Sequence, residues 1–380
     1  MKIAVLSSFP PKPCGVGEFC FDLITSLKKN NPDIKIDIYA IDNTPAGYIY
    51  SPLVKEHFFY LNKDDYGKIA DRINTLDYDL CLIQHEFGLF GGEKKEFLFD
   101  FTDRIKIPLV VILHSIPIDP NRPKYELKCN HILELDKKTN FFVSISKVGK
   151  DNLEKLGINP EKIVVIPHGA PDELFEEVSL ENKNKIRRKL RIKEDVFLAS
   201  MIGLLHKEKG IEYLLEGFFM IREKIKNIEV LIIGTTLLPE YRAYIDSIKE
   251  MITRLNLKKN IIFLEKYLKK SDLYEFIKIS DVIVTPYLNK NQASSGILTF
   301  SVAAGIPVIS TPFPYAQELL ANTGKIVPFK DSKAIADELI KLISDKDYYK
   351  ARKQKTIMLG KNLSWSNIAK SYLQLFNKIV

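Results

Sequence analysis

Ile3-Ala4-Val5-Leu6-Ser7-Ser8-Phe9-Pro10-Pro11-Lys12-Pro13-Cys14-Gly15-Val16-Gly17-Glu18-Phe19-Cys20 reads as a strand, a turn and a helix in succession. Ile3 to Leu6 are apolar with no polar alternation. A strand buried on both faces requires that pattern, and strands of this kind belong to parallel sheets. Pro10, Pro11, Pro13, Gly15 and Gly17 then break the run. Val16, Phe19, Cys20, Leu23 and Leu27 recur at i, i+3, i+4, i+7 and i+11, the apolar stripe of a helix. Strand, glycine-bearing turn and helix make one βα unit. Ser7 to Pro11 also end the apolar run too early for a secretory leader.

The same grammar repeats along the chain. Unbroken apolar runs occur at Ile36–Ile41, Leu80–His85, Leu109–His114, Phe141–Ile145 and Ile163–Pro167. A second set follows at Phe197–Gly203, Val230–Gly234, Ile261–Leu264, Val282–Pro286, Pro307–Ser310 and Lys325–Pro328. Alternating β and α elements predict an α/β protein of doubly wound sheets. A length of 380 residues exceeds what one core usually supports, so two Rossmann-like domains are expected. Gly169-Ala170-Pro171-Asp172 breaks the pattern and marks the join. The expected division is residues 1–172, residues 173–360, and a C-terminal helix over 361–380 that packs back on the first domain. Loops at the carboxyl ends of parallel strands form the ligand crevice, so candidate residues are sought there.

Composition narrows the class. Hydrophobic residues make up 46% and charged residues 27%, enough for a sizeable core. No apolar run approaches the roughly 18–20 residues that span a bilayer. Cys14, Cys20, Cys81 and Cys129 form no C-x-x-C pair, so reduced thiols in a cytoplasmic protein are expected. The net charge of +8 lies in the second half, since residues 1–170 sum to about −1. Lys183 to Lys193 holds seven basic residues. Such runs read as solvated helix faces or as peripheral contact with an anionic membrane surface. No aromatic residues interleave with them, so nucleic acid is not expected as a partner.

Several loops carry candidate chemistry. Gly15, Val16 and Gly17 open the first helix, where glycines allow close backbone approach and free N–H groups suit an anion. The loop reads equally as a tight turn, and Cys20 stands where a dinucleotide fingerprint needs its third glycine. Gln84-His85-Glu86, ahead of a glycine-rich loop, offers polar groups for a hydroxylated acceptor or a structural pair. His114 ends the next run and is placed to hydrogen-bond a sugar hydroxyl or a developing charge. His168 reads as a hinge or as a ligand residue. In the second half, Gly203 opens a loop that carries Lys209, a cation suited to phosphate. Ser294, Ser295, Gly296 and Ile297 start a helix with uncapped N–H groups, a phosphate cradle or an ordinary cap. Asp77-Tyr78-Asp79 matches a metal-binding D-x-D spacing but precedes a strand, at the wrong end of the sheet, so no metal is expected.

Taken in order, these motifs resemble the retaining GT-B glycosyltransferases of family 4, over essentially the whole chain. The mannosyltransferase-like branch shares P-P-x-x-C-G, Q-H-E-x-G-x-F-G-G, I-P-H-G, G-L-x-x-x-x-K-G, T-P-Y-L-N with S-G, and a near form of S-T-P-x-x-x-A-E-L-L. The resemblance implies two Rossmann-like domains with parallel sheets facing a central cleft, the first binding acceptor and the second donor. It implies that His114 contacts the transferred sugar and that Lys209 stabilises the leaving phosphate. Gly15–Gly17 would face the donor phosphates and the acceptor, and Lys266 and Tyr267 would lie at the nucleobase. Two positions depart from the pattern. Leu204 replaces an arginine, and the two glutamates of an E-x7-E pair fall on Gln292 and Phe300. Gln292 can still reach a sugar hydroxyl, whereas Phe300 cannot grip a ribose diol. The expectation is a retaining hexosyltransferase that moves mannose from GDP-mannose to a saccharide or lipid-linked acceptor. A phosphorylase acting on a sugar 1-phosphate and a non-catalytic sugar-binding module are the rival readings.

Overall fold

In the computed structural model, which describes residues 1–236, 239–292, 294–321 and 323–380, the opening run forms β1 (Lys2–Ser7) and the stripe after it forms α1 (Gly15–Asn30). Glu18 in the first turn of α1 and Lys28 and Lys29 in its last match the helix dipole. Phe19, Cys20, Leu23, Ile24 and Leu27 form its buried face. The strands β2 (Lys35–Asp42), β3 (Val54–Phe59), β4 (Leu80–His85), β5 (Leu109–Leu113), β6 (Phe141–Ser144) and β7 (Ile163–Val165) follow. Between them lie α2 (Lys63–Asn74), α3 (Phe97–Thr102), α4 (Tyr125–Asp136) and α5 (Lys147–Lys155).

The strands pair in the order β3-β2-β1-β4-β5-β6-β7, all parallel. The order reverses between β1 and β4, which is where an open α/β sheet leaves its crevice. Edge strand β3 has no counterpart among the runs read from the sequence. Its residues Val54-Lys55-Glu56-His57-Phe58-Phe59 alternate in exposure, so it lacks the unbroken apolar run of a strand covered on both faces.

A second unit repeats the plan with β8 (Phe197–Ile202), β9 (Ile228–Gly234), β10 (Ile261–Glu265), β11 (Val282–Thr285), β12 (Val308–Ser310) and β13 (Lys325–Ile326). Its helices are α6 (Leu180–Lys189), α7 (Ile211–Ile221), α8 (Arg242–Arg254), α9 (Lys270–Ile279), α10 (Gly296–Ala303), α11 (Pro314–Leu320), α12 (Ser332–Ser344) and α13 (Lys346–Gly360). The strand order is β10-β9-β8-β11-β12-β13, again parallel, with the reversal between β8 and β11.

The two compact units comprise Met1–Gly169 with Trp365–Val380, and Ala170–Ser364. Residues 170–172 and 361–364 therefore go with the second unit. The chain returns to the first unit as α14 (Trp365–Phe376), which packs on α1. Trp365, Ile368, Ala369, Tyr372, Leu375 and Phe376 are buried there with Phe19 and Leu23. A Cβ on Gly169 would overlap the Trp365 ring, so that glycine makes room for the tryptophan. All four cysteines are free, and Cys20, Cys81 and Cys129 are buried. Among the described residues no helix is long and apolar enough to cross a membrane.

Candidate active site

The reversal point of the second sheet gathers most of the candidates of that unit. Past β8 the backbone turns at Gly203 with φ +124°, and a Cβ there would lie 3.4 Å from Ile297 Cγ1. The turn therefore rests against the start of α10. The loop closes at Gly210, φ +64°, where a Cβ would overlap the Pro286 carbonyl oxygen. Leu288 N donates to the Glu208 carbonyl at 2.8 Å. Two parallel strands thus deliver two loops that are stitched together.

Lys209 lies between them. Its Nζ stands 3.6 Å from the centroid of the Tyr287 ring. Tyr287 stacks on Phe313 with centroids 5.4 Å apart and planes 16° apart. The Thr311 hydroxyl donates to the Tyr287 carbonyl at 2.5 Å. Ser295 caps α10, its hydroxyl accepting from Leu298 N at 3.3 Å. Helix geometry leaves the N–H groups of Gly296 and Ile297 without an intrahelical acceptor. Gln292 Nε2 donates to the Ser294 carbonyl at 2.9 Å, which ties the residues ahead of the helix to its cap. Gly203, Lys209 and residues 292 and 294–297 thus surround one end of the sheet, where a cation and free N–H groups suit an anion.

Lys266 and Tyr267 stand apart from this set. They follow β10, the edge strand, two strands from β8 or about 10 Å at ordinary strand spacing. Lys266 pairs with Asp272 at 3.2 Å, and Tyr267 is 57% exposed. The two departures are also visible. Leu204 is exposed, and Phe300 packs edge-to-face on Tyr274 with centroids 5.6 Å apart. An apolar contact occupies the position where the resemblance implies a carboxylate.

In the first unit Gly17 brings α1 close under the first loop, since a Cβ there would sit 3.1 Å from Ser8 Oγ. Gly15 faces open space. The Val16 side chain packs toward the core, which leaves its backbone as the part available to a ligand. His114 follows β5, and its Nε2 meets Gln84 Oε1 at 2.7 Å. Its ring lies edge-on to Phe19 at 4.7 Å, and Phe19 in turn touches His168 at 5.0 Å and Trp365 at 4.9 Å. Burial, with His168 next, holds the His114 pKa down to about 3.

His85 does not join its neighbour. Successive side chains of a strand point to opposite faces, so Gln84 turns toward His114 and His85 toward α4. There His85 is fully buried, its Nε2 3.0 Å from His131 Nε2 and its ring stacked on Phe90. Burial, then His131, holds its pKa well below the usual imidazole value. The expectation that Gln84, His85 and Glu86 form one acceptor surface is therefore corrected at His85. Glu86 accepts a hydrogen bond from the Ser115 hydroxyl, which adds Ser115 to the polar end of β4 and β5. Asp79 of the D-x-D spacing binds Lys2 N at 2.6 Å at the amino end of β4.

Sequence reasoning missed Tyr287, Phe313 and Thr311 as a platform, and Phe19 with Trp365 as a wall beside His114. The tyrosine sat within a noted T-P-Y-L-N motif. Its relation to Lys209 needed the pairing of β8 with β11.

Residues 182–357 match the family model described as Glycosyl transferases group 1. An uncharacterized glycosyltransferase of Methanocaldococcus jannaschii is 24% identical over 99% of this chain and 98% of its own length. A D-inositol 3-phosphate glycosyltransferase of Corynebacterium glutamicum is 24% identical over 81% of this chain and 74% of its own. Among solved structures, HepE of Anabaena in complex with UDP aligns over 100% of both chains with a TM-score of 0.80 at 16% identity. Sucrose-phosphate synthase of Thermosynechococcus elongatus aligns over 100% of this chain and 99% of its own, with a TM-score of 0.77 at 16% identity. The fold is GT-B.

Proposed function

We propose that this chain, of which residues 182–357 match the model of the group 1 glycosyl transferases, transfers a hexose from a nucleotide sugar to a saccharide or lipid-linked acceptor. The observation that carries the reading is the β8–β11 reversal point, where the loop that bears Lys209 rests against the start of α10. Relatives named as glycosyltransferases, and a structural neighbour in complex with UDP, support it.

In this reading Lys209 and the N–H groups of Gly296 and Ile297 stabilise the leaving diphosphate as the sugar gains oxocarbenium character. The acceptor hydroxyl attacks from the face the leaving group departs, and the leaving phosphate takes its proton, so configuration is retained. His114, neutral at physiological pH, accepts a hydrogen bond from a hydroxyl of the transferred sugar. Mannose as the sugar and GDP-mannose as the donor follow from the motif resemblance, as do family 4 and the absence of a metal requirement. The basic helices of the second unit suit peripheral contact with an anionic membrane.

Leu204 and Phe300 favour a second reading, a phosphorylase that takes a sugar 1-phosphate, because neither residue can grip a nucleoside as arginine and glutamate would. One experiment separates them. The protein is incubated with a panel of nucleotide sugars and sugar 1-phosphates, and thermal shift and donor turnover are followed. Stabilisation and turnover with GDP- or UDP-sugars support the transferase. A response to sugar 1-phosphates alone moves the assignment to the phosphorylase.

A further inference from the structure

Lys209 is held by a ring and not by a carboxylate. Its Nζ lies 3.6 Å from the Tyr287 centroid, and among the described residues no carboxylate pairs with it. Tyr287 is itself closely fixed. It is 1% exposed, it stacks on fully buried Phe313, and its carbonyl receives the Thr311 hydroxyl. The next residue, Leu288, binds the Glu208 carbonyl of the lysine's own loop. The Tyr287 hydroxyl is buried without a hydrogen-bond partner. What this position offers to its surroundings is therefore the π face.

We propose that Tyr287 is a positioning residue for Lys209, its ring holding the ammonium at the reversal point of the second sheet with its charge left free for the donor's diphosphate. The proposal rests on the donor reading given above. A carboxylate in the same place would hold the lysine as well, but it would cancel the charge and repel an arriving phosphate. A π face attracts the cation through its quadrupole and carries no net charge. It also restricts a four-carbon stem that would otherwise lose its rotamer freedom on binding. The remaining N–H groups of the ammonium stay open to oxygen acceptors.

Isothermal titration with inorganic pyrophosphate, GDP and UDP tests this on the full chain as a double-mutant cycle. Tyr287→Leu is expected to weaken affinity about three- to thirtyfold. Tyr287→Phe, which keeps the ring, restores it to within about threefold. In a Lys209→Met background, Tyr287→Leu is expected to add less than about a twofold change, because the cation it positions is gone. Thermal melts accompany each variant. Should Tyr287→Leu fail to fold, Tyr287→Met fills the space without a π face and carries the same expectation. Unchanged or tighter binding by Tyr287→Leu overturns the proposal, as does an equal loss in the Lys209→Met background. Failure of the wild type to bind any of the three ligands would instead overturn the donor reading itself.

Discussion

The Gln84 amide oxygen and the His114 imidazole Nε2 meet at 2.7 Å across two neighbouring parallel strands. An amide oxygen only accepts, so this contact places the proton on Nε2 and leaves Nδ1 as an acceptor. Tautomer and charge are both set, since the pKa of about 3 keeps the ring neutral above pH 5. His114→Ala is expected to lower kcat/KM about tenfold, the worth of one hydrogen bond near 1.4 kcal/mol. Gln84→Leu is expected to produce part of that loss by freeing the tautomer. A pH–rate profile that shows an inflection near pH 6.5, absent in His114→Asn, would contradict the neutral assignment.

Lys209→Ala removes the cation from the reversal point of the second sheet and is expected to reduce kcat about a hundredfold or more. Single-turnover rates with saturating donor check this, because they exclude a simple loss of binding. Lys209→Arg should recover only part of the rate, since a guanidinium stacked flat on Tyr287 aims its N–H groups differently from a compact ammonium.

Acid should unfold the first unit through its buried histidines. His85, His114 and His131 all have folded pKa values depressed by burial, to about 3 for His114 and about 4 for His131. The unfolded chain binds protons at about pH 6.5, so it holds more of them than the native state below that pH. Their contribution is complete above pH 6.5 and is lost as pH falls toward 4. For His131 alone it amounts to about 3 kcal/mol. Urea denaturation at about pH 7.0, 5.5 and 4.5, from above this window to near its lower end, measures the slope. His131→Phe should flatten it, and an unaltered slope would remove His131 from the account.

Gly210→Ala is expected to destabilise the second unit by about 2 kcal/mol or more, because φ is +64° and the added Cβ overlaps the Pro286 carbonyl. Gly88→Ala, where a Cβ meets open space, should stay within about 0.5 kcal/mol. Thermal melts of the two variants decide whether the loop carrying Lys209 is as tightly stitched as its contacts imply.

Trp365→Ala removes a ring buried against Gly169 and Phe19 and is expected to cost about 3–5 kcal/mol. The loss should fall on the first unit, readable as earlier hydrogen exchange in β1 and α1.

What the sequence disclosed depended on how local the signal was. Ile3–Leu6 and the Val16–Leu27 stripe each specify an element with no outside help, and both are present as β1 and α1. Strand β3 was hidden because an edge strand half in water has no continuous apolar run. Gln84 and His85 looked like one polar group, yet alternation on β4 sends them to opposite faces. Tyr287 read as part of a motif and not as a partner, since the pairing of β8 and β11 that brings it to Lys209 is not written in either loop. Lys266 and Tyr267 are placed by resemblance, and the edge position of β10 keeps them at a distance from the β8–β11 reversal point.

Because the second unit is inserted between Gly169 and Trp365, order of synthesis and order of completion differ. Residues 1–169 leave the ribosome first, but the part of α1 that packs on α14 stays uncovered until α14 has been made. The inserted unit has both its ends in hand earlier, with Ala170 bonded to the Leu363 carbonyl at 2.6 Å. A nascent chain would thus carry a finished second unit beside an unsealed first one, and that interval is when this protein is most exposed to aggregation and to chaperones.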